Sequence, residues 1–182
     1  LTSLAPGTFL FSADDGASGR ELWKSDGTEA GTVLLKDIND AGSSNPNDLV
    51  RIGTEIFFTA DDGATGRELW KSDGTADGTV LVKDMITGPT TSNPAYLTES
   101  NGLLLFSARD ASAGTELWKS DGTSDGTVVL KDIVTGSSGA YPASLTDAGG
   151  TLFFSATHPD TGQELYKSDG TEAGTELVAD VN

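Results

Sequence analysis

Apolar residues along this chain come in short runs rich in aromatic and β-branched side chains, each closed by glycine, asparagine or aspartate. No stretch keeps the 3.6-residue spacing of an amphipathic helix, so strands are expected throughout. In the third quarter the pattern predicts strands over residues 95–98, 103–108, 115–119 and 127–133. The first follows Ser92-Asn93-Pro94, and proline suits a strand's first residue because its missing N–H is not yet needed there. Asn101-Gly102 is a tight hairpin signal, and Ser120-Asp121-Gly122-Thr123 turns the chain again. Leu117 and Trp118 are adjacent, as are Leu104 and Leu105, so each pair must point to opposite faces of the sheet. Both faces are therefore expected to be covered.

The same pattern recurs. ELWKSDGT begins at Glu21, Glu68 and Glu116, and ELYKSDGT at Glu164, at spacings of 47, 48 and 48 residues. Ten residues before each Glu stands a Phe (Phe11, Phe58, Phe106, Phe154), and sixteen after it an Asp (Asp37, Asp84, Asp132, Asp180). Length changes fall between that Asp and the next proline (Pro46, Pro94, Pro142), which marks the tolerant loops. The units run over residues 1–41, 42–88, 89–136 and 137–182, as blades of a single repeat domain. A four-stranded antiparallel sheet covered on both faces, repeated with a period in the forties, predicts an all-β fold, a β-propeller of four tandem blades.

These strings also resemble a family. GRELWKSDGTEAGT, GRELWKSDGTADGT, GTELWKSDGTSDGT and GQELYKSDGTEAGT, each followed by a version of VLVKDI, are similar to the bacterial proteins named for their ELWxxDGT repeat. The resemblance covers nearly the whole chain and implies a large secreted or surface-attached protein. It says almost nothing about activity. The proline-led strand, Gly turn and aromatic strand are also similar in phase to propellers of the NHL and YWTD kind, an analogy of fold only.

Composition narrows the function. Eleven Lys and Arg against 28 Asp and Glu give a net charge of −17, which repels phosphate backbones and anionic lipid, so no nucleic-acid partner is expected. No apolar run approaches the roughly 20 residues of a membrane-spanning helix, and no membrane insertion is expected. With no cysteine, neither disulfides nor thiolate metal sites are available. An apolar fraction of 36% with 23 glycines implies thin cores divided among many short elements.

Each repeated residue has a structural reading beside a functional one. Asp26, Asp73, Asp121 and Asp169 precede Gly in a strand-to-strand turn, where an Asp accepts backbone N–H bonds and Gly takes the positive φ. Glu21, Glu68, Glu116 and Glu164 are expected to maintain the blade by pairing with a base such as Lys36 or Lys83. Trp23, Trp70, Trp118 and their substitute Tyr166 read as packing between blades rather than sugar platforms, with Tyr166 a hint that its phenol reaches water at an end of the array. Asp14-Asp15 and Asp61-Asp62 offer hard oxygen ligands and make calcium the candidate cofactor. Neither loop has EF-hand spacing, however, and the third copy has Arg109-Asp110-Ala111 in that place. The single His158 lies in a loop with no partner a catalytic histidine would need.

No nucleophile elbow, phosphate loop or histidine metal motif is present, and repeated carboxylates do not make the two distinct acids of a glycosidase. The expectation is a non-catalytic extracellular or cell-surface module for protein interaction, adhesion or self-assembly. The alternative is a lectin-like or calcium-dependent propeller with a glycan partner. Leu1-Thr2 aligns with Leu49-Val50, Leu97-Thr98 and Leu145-Thr146, so the sequence is expected to begin inside the first strand of a blade; four blades either close on themselves as a ring or leave leucines and aromatics on the outer faces of the first and fourth units that suit a neighbour. Self-association through blade faces, as a ring or a filament, or excision from a longer array would cover them.

Overall fold

The computed structural model describes residues 1–181 and contains no helix among them. It divides into two compact units, Leu1–Ser92 and Asn93–Asn182. The first unit holds β1 (Thr2–Ala5), β2 (Thr8–Asp14), β3 (Arg20–Ser25) and β4 (Val33–Lys36), then β5 (Asn47–Ile52), β6 (Glu55–Asp61), β7 (Arg67–Ser72) and β8 (Val80–Lys83). The second holds β9 (Ala95–Ser100), β10 (Leu103–Asp110), β11 (Gly114–Ser120) and β12 (Val128–Lys131), then β13 (Ala143–Asp147), β14 (Leu152–His158), β15 (Gly162–Ser168) and β16 (Glu176–Ala179). Each set of four forms one antiparallel sheet with strands in sequence order.

The third sheet differs from the predicted limits at its last strand, which stops at Lys131 instead of reaching Ile133. The reason is a competing acceptor. The N–H of Ile133 turns away from the ladder and donates to Glu116 Oε2 at 3.0 Å.

Register assigns the faces. Phe11 pairs with Trp23 and Phe106 with Trp118, so Phe and Trp share one face, while Leu22 pairs with Ser12 and Leu117 with Ser107 on the other. In the first unit Leu10 and Leu22 pack against Ile56, Phe58, Ala60 and Trp70. In the second, Leu105 and Leu117 pack against Leu152, Phe154, Ala156 and Tyr166. The leucine face of one sheet thus meets the aromatic face of the next. Each core is one interdigitated layer, as the low apolar fraction requires.

Tyr166 departs from the expectation that its phenol reaches water. It is 7% exposed, and its ring stacks on Phe154 with centroids 5.7 Å apart. Burial pushes its hydroxyl pKa up. Phe106 and Trp118 make the corresponding contact at 6.3 Å, so the substitution preserves the cross-strand aromatic pair within the sheet.

Candidate functional site

The repeated string is explained residue by residue as a turn. Asp26 Oδ1 accepts the Thr28 N–H at 2.9 Å and the Thr28 hydroxyl at 2.7 Å, and the Gly31 N–H donates to Thr28 Oγ1 at 2.9 Å. Thr32 closes the turn by donating to the Thr28 carbonyl and bonding the Ser25 hydroxyl. The same set recurs around Asp73, Asp121 and Asp169. Hydrogen bonds from the threonine hydroxyls, the largest cause, hold Asp26, Asp73 and Asp169 below the usual carboxylate range. The second glycine is required by space: a Cβ at Gly126 would lie 2.1 Å from Asp121 Oδ1.

The repeated glutamates are buried, and their partners differ from the expected lysines. Glu21 accepts the Ile38 N–H at 2.9 Å, the Ser44 N–H at 2.6 Å and the Ser44 hydroxyl at 2.5 Å. Glu68 takes Met85, Ser92 and the Ser92 hydroxyl in the same way. Glu116 takes the N–H groups of Ile133, Val134 and Ala140, and Glu164 that of Val181. Lys36 instead donates to the carbonyls of Ala76 and Thr79 on the neighbouring sheet. A charge count along the sequence suggests an ion pair, whereas a fully buried carboxylate beside a loop finds backbone donors closer at hand. Ser44 and Ser92 were not singled out from the sequence; their recurrence 23 and 24 residues after a repeated Glu was the available signal.

The four aspartates considered for calcium are engaged in their own loops. Asp14 Oδ1 accepts Gly16, Asp15 Oδ1 accepts Ala17 and Ser18, Asp61 Oδ1 accepts Gly63, and Asp62 Oδ1 accepts Ala64 and Thr65. Backbone bonds from Ser18 and Ala17 lower the pKa of Asp15; burial of Asp62 acts in the opposite sense and is outweighed by its bonds from Thr65 and Ala64. Asp14 shares an open hollow of about 580 Å³ with Asp37 and Asp40. Among the described residues no three acidic or histidine groups converge to hold a metal ion. His158 ends β14, with Nδ1 accepting the Asp160 N–H at 3.2 Å.

The sheet faces carry the clearest asymmetry. Leu22, Leu69 and Leu117 are 0% exposed, but the equivalent Leu165 is 48% exposed. On the aromatic side, Phe58, Phe106 and Phe154 are fully buried, whereas Phe9, Phe11 and Trp23 of the first sheet are only half-buried. One leucine face, in the last sheet, and one aromatic face, in the first, thus retain solvent-accessible apolar surface.

No protein-family model matches the chain, and no curated protein matches it. Solved structures do. A puromycin hydrolase mutant superposes with a TM-score of 0.60 at 18% identity, covering 98% of this chain and 29% of that one. A structure from a study of two prolyl endopeptidases gives 0.59 at 16%, covering 96% and 27%. The chain therefore spans less than a third of the length of either. At such identities the likeness speaks to the fold alone. Together with the sheet order, it identifies the chain as an all-β propeller fold built of tandem four-stranded antiparallel blades.

Proposed function

We propose that this chain is a non-catalytic, extracellular repeat module that assembles with further copies of itself by laying the leucine face of one copy's last sheet on the aromatic face of another's first sheet. The observation that carries the reading is the exposure of Leu165 against three fully buried equivalents. The interface proposed between copies repeats the one inside each unit, where Leu22 meets Trp70 and Leu117 meets Tyr166. Such an interface is heterologous, and it propagates as a ring or a filament. The repeated carboxylates and hydroxyls are occupied in turns and loop ties, which leaves them a structural role. An extracellular setting rests on the resemblance to ELWxxDGT-repeat proteins.

Light scattering tests this. The parent is expected to give masses above the 18.7 kDa of one chain, rising with concentration and with salt, because a charge of −17 on each copy opposes association until screened. Leu165→Asp is expected to return the monomer. A parent that stays monomeric across concentration and salt contradicts the reading.

A further inference from the structure

The second unit contains a small hollow of about 280 Å³ whose lining breaks the repeat in three places. Two tyrosines stand on it, Tyr96 at 48% and Tyr141 at 61% exposure. Both sit in left-handed backbone, at φ +57° and +52°. Asn45 and Asn93 occupy the position of Tyr141, and Asp48 and Ser144 that of Tyr96, all with positive φ. Short polar side chains tolerate that conformation; a bulky aromatic is disfavoured there. Tyr96 also lies in a β-bulge, since Thr98 pairs with Leu105 but Ala95 with Ser107. A bulge is a device that re-aims a side chain, and these rings are aimed at solvent rather than at the core.

The third break, at Thr115, leaves room. In the second sheet Arg67 donates to the Thr59 hydroxyl at 2.9 Å. The third sheet has Thr115 in place of that arginine and Ser107 in place of Thr59, and both line the hollow. Ser107 is 4% exposed as a residue, and its hydroxyl is open to the hollow. No charged residue lines the hollow, although the chain as a whole carries −17.

We infer that this hollow is a binding site for a neutral saccharide, whose C–H face stacks on Tyr96 and Tyr141 while its hydroxyls bond Ser107, Thr115 and Asn93. A sugar ring supplies both an apolar face for the aromatics and a dense rim of donors and acceptors for the hydroxyl groups. The uncharged lining favours a neutral glycan over an anionic one, which the overall charge repels. The site is separate from the sheet faces that carry self-association.

The test is a panel of neutral oligosaccharides (gluco-, manno-, galacto- and xylo-series), with polygalacturonate and a proline-rich peptide alongside, measured by calorimetry on the full chain. At least one neutral oligosaccharide is expected to bind saturably. The double variant Tyr96→Ser, Tyr141→Asn installs the residue types of the other copies, so it is expected to melt at or above the parent's temperature while weakening binding at least tenfold. Thr115→Arg restores the arginine of the first two sheets, fills the hollow, and is expected to abolish binding with the fold intact. The inference is overturned if no neutral oligosaccharide binds, if only the peptide or polygalacturonate does, or if either variant folds and binds as the parent does.

Discussion

At the scale of single residues, Glu116 shows how a small change at one repeat position alters a buried charge. Burial pushes its carboxyl up to about 7, with the nearby Asp132 charge adding to the rise and the N–H groups of Ile133, Val134 and Ala140 acting against it. Glu68 is also raised by burial, but the Ser92 hydroxyl opposes the shift, and the third copy has Ala140 where that serine stands. A carboxyl raised on folding binds protons more tightly in the native state. Its favourable contribution is therefore complete below the ordinary value of 4.5 and is lost as pH rises through about 7. The turn residues Asp26, Asp73 and Asp169 have the opposite sign: held below 3.8, they stabilise above that value and cease to as pH falls through their lowered pKa. Melting temperature is expected to peak in mildly acidic solution. Ala140→Ser should give Glu116 the missing hydroxyl, lower its pKa and reduce the loss of stability between pH 4.5 and 7, worth about 1 kcal/mol at pH 8 and little at pH 4. Parallel melting curves against pH for parent and variant would show that Glu116 is not the group responsible.

At the scale of the element, the turn and the sheet face make separate demands. A methyl at Gly126 cannot coexist with Asp121 in its present place, so Gly126→Ala is expected to cost about 1–3 kcal/mol by denaturant unfolding. Most of that cost should disappear when Asp121 is itself replaced by Ala; strict additivity in the double-mutant cycle would mean that the two do not interact. Trp118→Ala removes a side chain only 4% exposed and should cost about 3–5 kcal/mol, where a change within a few tenths would place the indole outside the core. These elements were legible because local chemistry dictates them: Asp-Gly needs a turn, and adjacent Leu117 and Trp118 need two covered faces. The partners of Glu116 were not legible, because backbone donors 17, 18 and 24 residues away leave no mark on side-chain type. Tyr96 and Tyr141 escaped for a different reason. They depart from the repeat instead of following it, and their signal was aromatic replacement at positions where other copies keep Asn, Asp or Ser.

At the scale of the whole molecule, the repeat and its blade-like sheets were evident from spacing alone, and the likeness to solved propellers agrees. What spacing does not reveal is which faces stay accessible. Leu165 and Leu117 sit in nearly identical strings, yet one is half exposed and the other buried, because burial belongs to the neighbour rather than to the strand. Heterologous assembly makes a demand that self-complementary pairing does not. A chain blocked at its leucine face by Leu165→Asp should fail to self-associate, as should one blocked at its aromatic face by Trp23→Asp, each keeping one intact face. Light scattering of the equimolar mixture is then the direct test. A one-to-one complex at twice the 18.7 kDa chain mass is expected, and no larger species. Two monomers that remain monomers when mixed, or either single variant assembling alone, would contradict it.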